Sequence, residues 1–389
     1  MRRSRHRIGL PTLPALALSA FVLATEALVP ARATDVAPLR VIQDQDPNFN
    51  TLWVDLKNDE ILVGNDAQET LQVYSRTANG VVAPLREIKG RATFVTFPGQ
   101  VIMDPVNDEL WSIGNDIADL VTVYSRTADG NVRPIRRIDG RLRSTGRFNR
   151  SWGISLDLKN DEIAVSHQRR NRISVFARTT NTDTNPAARP KRTISGPSTG
   201  LASPHGIFVD AAANEIYVTN LGHTMTTDAV TGLPVGSTLP PSITVYSRTA
   251  SGNAAPLRTI QGEETKLDNA KPIFVDTGRR EIVVADGSPT NTLLFFDRNA
   301  NGDVQPLRII KGPHTGLSNP TGVFVDEVHN EVLVANWGNH TVTVYPRGAE
   351  GDARPLRVIS PTTSQVAAGI GNPGAIYVDP ERDEIGVVN

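Results

Sequence analysis

The chain has 389 residues, 40 Lys plus Arg against 41 Asp plus Glu, and no cysteine. A formal net charge of −1 with no block of like charge gives no electrostatic case for nucleic acid or an anionic membrane surface as partner. Without Cys there is no disulfide and no thiol-anchored lipid, so the fold rests on its core alone, for which this length is ample.

Residues 1–33 read as a secretory signal peptide. Arg2, Arg3, Arg5 and Arg7 make a basic start, Leu10 to Thr25 a mostly apolar stretch, and Ala31-Arg32-Ala33 a small-x-small cleavage site. Pro11 and Pro14 interrupt the stretch, and Glu26 closes it short of the ~20 apolar residues of a spanning helix. The expectation is an exported protein, periplasmic or extracellular. Its mature chain begins at Thr34, carries a net charge near −5, has no transmembrane segment and is a monomer.

From residue 34 onward the chain repeats itself. An apolar run ends in Asp, a polar turn follows, and Glu opens a second apolar run. Examples are TLWVDLKNDEILVGN at 51–65, HGIFVDAAANEIYVTN at 205–220, GVFVDEVHNEVLVAN at 322–336 and AIYVDPERDEIGVVN at 375–389. The marker Asp recurs at Asp55, Asp104, Asp157, Asp210, Asp276, Asp326 and Asp379, spaced 49, 53, 53, 66, 50 and 53 residues apart. A period near 50 rich in strand formers is the signature of propeller blades, and it predicts an all-β, seven-bladed β-propeller over residues 34–389.

Each unit predicts four strands: a (as in Gly206 to Asp210), b (Glu215 to Asn220), c (Thr341 to Arg347) and d (Pro306 to Gly312). Asx-rich turns join a to b, and Gly-containing turns such as Thr127 to Asn131 join c to d. Pro opens strand d at Pro38, Pro84, Pro134, Pro190, Pro256, Pro306 and Pro355, which suits an edge strand. Glu opens strand b at Glu60, Glu109, Glu162, Glu215, Glu281 and Glu331. Arg closes strand c at Arg76, Arg126, Arg178, Arg248, Arg298 and Arg347, so antiparallel pairing predicts cross-strand Glu–Arg pairs within each blade. The N-terminus offers a lone strand d, Val36 to Ile42, and the C-terminus a lone a–b pair. Together they predict a seventh blade closing the ring, either three-stranded or completed by residues beyond Asn389.

The order P-x-G-I-F-V-D, E-I-Y-V-T-N, I-T-V-Y resembles the NHL-repeat propellers and, more loosely, the gluconolactonase-like and streptogramin-lyase-like propellers. The resemblance implies strand a innermost and strand d outermost. It also implies, for the enzymes of these groups, a divalent metal on the axis held by Glu, Asp, Asn or His near the inner strand ends. No complete ligand set is matched here and no Glu stands at an inner-strand mouth. The reading is therefore a scaffold binding a protein or small-molecule ligand on its funnel face. The alternatives are a lactonase-like hydrolase or lyase using calcium, zinc or manganese, and a structural envelope or matrix protein.

Candidate site residues are those that break the inter-blade pattern where loops converge on the mouth. Five residues before the marker stand Asn50, Gly99, Trp152, His205, Lys271, Thr321 and Gly374. Ten after it stand Asn65, Gly114, His167, Asn220, Asp286, Asn336 and Asn389, where Asx is expected to cap the b-to-c turn. Trp152, His205, Asn220, Lys271, Asp286 and Asn336 are the candidate ligand-binding residues. His167, His205 and Asp286 are the candidate catalytic or metal-binding groups. Blade 4 also carries a long insertion, Leu221 to Pro241, read as a lid, a binding loop or a spacer.

Overall fold

In a computed structural model, the described residues are 34–36, 42–43 and 49–387, except 66–67, 79, 115–118, 147, 181–186, 228–233, 340, 360–374 and 380–381. The expected signal peptide (1–33), Gly374 and Asn389 lie outside them.

Six antiparallel sheets follow one another along the chain, each with its strands in the order a-b-c-d. Blade 1 is Phe49–Asp55, Glu60–Asn65, Thr70–Ser75 and Arg86–Ile88. Blade 2 is Pro98–Asp104, Glu109–Gly114, Leu120–Ser125 and Arg136–Asp139. Blade 3 is Ser151–Asp157, Glu162–His167, Arg172–Ala177 and Arg192–Ser195. Blade 4 is Pro204–Asp210, Glu215–Asn220, Ser242–Ser247 and Arg258–Ile260. Blade 5 is Ala270–Asp276, Glu281–Asp286, Thr292–Asp297 and Arg308–Ile310. Blade 6 is Pro320–Asp326, Glu331–Asn336, Thr341–Pro346 and Arg357–Ile359.

The β-propeller expectation is met, but with six blades, not seven. In the seventh place is a two-stranded hairpin, Ile376–Asp379 with Glu384–Val387. Its inner strand neighbours those of blades 6 and 1. Of the expected closing strand, Val36 to Ile42, residues 37–41 lie outside the described residues, and its described ends pair elsewhere. Thr34–Val36 runs parallel to Arg357–Ile359 of blade 6, and Ile42–Gln43 runs parallel to Gly80–Val81 beside blade 1. The hairpin has no third strand among the described residues.

The apolar core lies between blades. One cluster joins blade 2 residues Ile102, Trp111 and Ile113 to blade 3 residues Ile154, Ile163 and Phe176. Equivalent clusters fill the other junctions, including Val378 against Leu333 and Val344 of blade 6, and Tyr377 against Leu52 and Val54 of blade 1. A belt of aromatic rings runs along the inner strands: Phe208 to Phe274 (5.6 Å), Phe324 (5.3 Å), Tyr377 (6.0 Å) and Trp53 (5.8 Å). Such tilted pairs contribute about 0.5–1.5 kcal/mol beyond area burial.

The marker Asp explains the a-to-b turn. Asp55 Oδ1 accepts from the Lys57 and Asn58 amides at 3.0 and 3.2 Å, and Asp104 does the same for Val106 and Asn107 at 3.0 Å each. The residue before strand b then turns left-handed, as Asp59, Asp108, Asp161, Asn214, Arg280, Asn330 and Asp383. Asx and Asp tolerate that region better than most residues.

The Glu–Arg pairs form, but between blades. Glu60 is clamped by Arg86 of its own strand d (2.9 and 2.7 Å) and by Arg126 of blade 2 (2.9 Å). Arg178 reaches back to Glu109 (2.8 Å), Arg248 to Glu162 (2.7 Å) and Arg298 to Asp210 (2.7 Å). Arg76 does the same to Glu384 and Asp379 of the hairpin. The Arg at the end of strand c thus stitches its blade to the preceding one, while the Arg of strand d holds the Glu of its own blade. Burial alone would raise Glu162, but hydrogen bonds from Arg192 and Lys191 outweigh it and hold the carboxyl at about 2.

Candidate functional site

At the mouth, the start of each inner strand carries the side chain that varies. Two of the predicted residues meet there, and a third follows on the next blade. The Trp152 and His205 rings stack with centroids 5.0 Å apart and planes at 15°. The Trp152 indole N–H donates to Gln168 Oε1 at 3.1 Å, and the Arg150 guanidinium stands 5.5 Å from the indole centroid on an adjoining turn. Lys271 follows on the next blade and donates from Nζ to Asn319 Oδ1 at 3.3 Å. The row Arg150, Trp152, His205, Lys271, Asn319 therefore crosses blades 3 to 6.

Two glycines permit this approach. A Cβ at Gly153 would lie 2.6 Å from the His205 carbonyl oxygen, and one at Gly206 would lie 2.5 Å from that of Lys271. Those carbonyls are fixed instead by Ser166 Oγ (2.8 Å) and Thr219 Oγ1 (2.6 Å). The inner strands of blades 3, 4 and 5 are thereby locked side by side, which sets Trp152 and His205 in their stack and Lys271 on the next blade.

The row is electropositive. Desolvation drives the His205 pKa down, and the charges of Lys271 and Arg150 push the same way. Lys271 is lowered by burial, with Asp286 acting in the opposite sense. His205 is only partly exposed and its imidazole is held neutral at pH 7.

The other candidates serve elsewhere. His167 is fully buried, stacked on Phe148 at 4.1 Å, with Nδ1 2.9 Å from Ser151 Oγ and no partner at Nε2. Burial, then Arg172 and Arg170, lower its pKa to about 3. Asn220 Oδ1 accepts the Ala202 amide and Asn336 Oδ1 the Ser318 amide, both at 3.1 Å. Asp286 takes the same position and task. Its two oxygens accept the amides of Asp268 and Asn269 at 2.9 Å each, and Thr290 Oγ1 at 2.6 Å, while burial raises its pKa. In these three blades the Asx accepts backbone amides of the d-to-a loop, and Asp286 also holds Thr290 of the b-to-c turn. Asn65, which accepts the Gln68 amide at 3.1 Å, caps the b-to-c turn as expected.

The divalent metal implied by the resemblance does not fit these donors. Among the described residues no three His, Asp or Glu side chains converge on one point. Both oxygens of Asp286 are committed to the loop, and His167 is turned into the packing of blade 3.

Sequence reasoning missed Arg150, Gln168 and Asn319. A signal did exist: Arg150, Ser203 and Asn319 stand seven residues before their marker Asp, and all three are left-handed. Two of them precede Pro, which marks the bend into the inner strand. The Leu221 to Pro241 insertion contains a second hairpin, His223–Thr227 with Pro234–Thr238. Its first strand lies against the Gln168–Arg170 turn, beside the row just described.

No family model matches this chain, and no curated protein does. Among solved structures the architecture is common, with 1235 matching chains. One is Raptor from Chaetomium thermophilum, with a TM-score of 0.66 and 13% identity over 92% of this chain. The chain spans 28% of Raptor's length. At that identity the likeness shows a β-propeller fold alone, and such folds host many unrelated functions. No helix among the described residues is long and apolar enough to cross a membrane.

Proposed function

We propose that this protein is an exported scaffold, built from NHL-like repeats, that binds a ligand at the funnel mouth over blades 3 to 5. The observation that carries this reading is the stacked, partly open Trp152–His205 pair with Lys271 beside it. Positions that repeat in every blade are explained by turns and ion pairs, whereas these three side chains fulfil no such task. They stand where hydroxyls of Ser166 and Thr219 tie the inner strands of adjacent blades together. The hairpin of the blade 4 insertion lies against the neighbouring Gln168–Arg170 turn.

The test is a chemically diverse fragment library read by thermal melting on the full mature protein and on the Trp152→Ala and Lys271→Ala variants. Fragments that stabilise the wild type and lose their effect in either variant support the reading. Hits that are indifferent to both variants place the binding site elsewhere and overturn it. Mass spectrometry of exported protein tests the processing, with Thr34 expected as first residue and a retained Met1 contradicting export by cleavage.

A further inference from the structure

Positive charge gathers at the blade 3 side of the mouth. Arg169 and Arg170 are exposed on the Gln168–Arg170 turn, and Arg172 follows at the start of strand c. Arg172 donates to the Gly146 carbonyl, and its pKa is lowered by burial and by Arg170. No ion pair is formed by Arg169, Arg170, Arg172 or Lys271 among the described residues, whereas the arginines of the turn face have carboxylates. A buried imidazole nitrogen, His167 Nε2, stands unpartnered beside this group. The charges acting on His205 are those of Lys271 and Arg150, both cations. Of the acids nearby, Asp286 acts on Lys271, and its carboxylate is tied to the Asp268–Asn269 loop.

Like charges half-removed from water repel one another, and an anion placed among them relieves that repulsion. We propose that the partly open imidazole of His205, stacked on Trp152 with Lys271 on the next blade, is the docking point for the anionic group, a carboxylate or a phosphate, of a small ligand. This inference rests on the funnel-mouth reading and gives it a ligand chemistry. Lys271 supplies the charge, and the Trp152 stack fixes the imidazole plane. His205 takes up a proton when the anion arrives, because the new negative charge offsets the two cations that suppress its protonation. Affinity therefore rises as pH falls from 8 toward 6.

The experiment is calorimetric titration of the mature protein with sulfate, whose charge is constant over the neutral range, and with acetate, in buffers of different ionisation enthalpy. Sulfate stands in for a phosphate ligand and acetate for a carboxylate, and the tighter binder identifies the source. Expected are proton uptake on binding and a loss of about tenfold or more in affinity for Lys271→Gln, with recovery in Lys271→Arg. In His205→Gln the pH dependence should vanish while the fold is kept. Binding of neither anion by the folded wild type, or equal affinity in Lys271→Gln, overturns the anion assignment. A neutral fragment whose binding still depends on Trp152 would then leave the funnel-mouth reading standing.

Discussion

On the face of the a-to-b turns, Arg178, Arg248 and Arg298 each meet carboxylates of the preceding blade, and Glu162 and Glu215 are held at about 2. At the mouth over blades 3 to 5, Arg172 and Lys271 are lowered, and His167 and His205 are kept neutral. The arginines of one face are thus matched to carboxylates of the preceding blade, whereas Arg172 and Lys271 at the mouth form no ion pair among the described residues. Charge that is matched blade by blade belongs to the fold. Charge that is crowded and unmatched in one sector is available to a ligand.

That contrast can be broken first at Glu162, which holds Lys191 and Arg192 at 2.6 Å and Arg248 at 2.7 Å. Glu162→Ala leaves these cations without their acid and should lose about 3 kcal/mol in urea unfolding. Lys271→Gln at the mouth should change stability by about 0.5 kcal/mol or less. Similar losses in the two variants would erase the distinction between the faces.

Acid should separate the faces in a second way. His167 has its pKa lowered from 6.5 to about 3, so the unfolded chain binds the proton first and stability falls as pH drops below 6.5. Glu162 and Glu215 are lowered from 4.5 to about 2, so their contribution is intact above 4.5 and is lost as pH falls toward 2. The urea midpoint should decline in two stages. His167→Asn, which installs the residue of neighbouring blades, should shrink the upper stage alone. A single decline below pH 4.5 in the wild type would contradict the burial of neutral histidine.

Smaller effects sharpen the account of how the mouth is fixed. Thr219→Val removes the hydroxyl that donates to the Lys271 carbonyl at 2.6 Å and accepts the Gly206 amide at 2.9 Å. It should lose about 1 kcal/mol and also weaken anion binding. Asn253→Ala removes an exposed clamp on the Ser198 amide (2.7 Å), remote from the mouth. It should lose only about 0.5 kcal/mol and leave binding unchanged. Equal effects of the two on binding would argue against strand locking as the positioning device.

Much of the fold was legible because it is periodic. The marker Asp, the left-handed residue before strand b and the Pro that opens strand d each leave a local signature at every turn of the repeat. The partner of Arg178 was not legible. Glu109 and Glu162 recur at the same repeat position, so periodicity cannot say whether an arginine turns to its own blade or to the previous one. The described ends of the expected closing strand pair beside blades 6 and 1. Val36 to Ile42 was matched to the hairpin by strand type, and strand type does not encode which edge is vacant. At the mouth, departure from the repeat identified Trp152 and His205, which stack, and Lys271 on the next blade. It also flagged Asp286, which does the same loop-closing task as Asn220 and Asn336, and His167, which is packed against Phe148. Departure from a pattern marks a changed environment, and only packing decides whether that environment faces a ligand.

The most direct measurement is an NMR titration of the His205 imidazole, assigned by comparison with His205→Gln, in sulfate-free buffer and again with sulfate. The account predicts a pKa well below 6.5 in the free protein and a rise toward the ordinary value when the anion is bound. An ordinary value in the free protein, unmoved by sulfate, would contradict it.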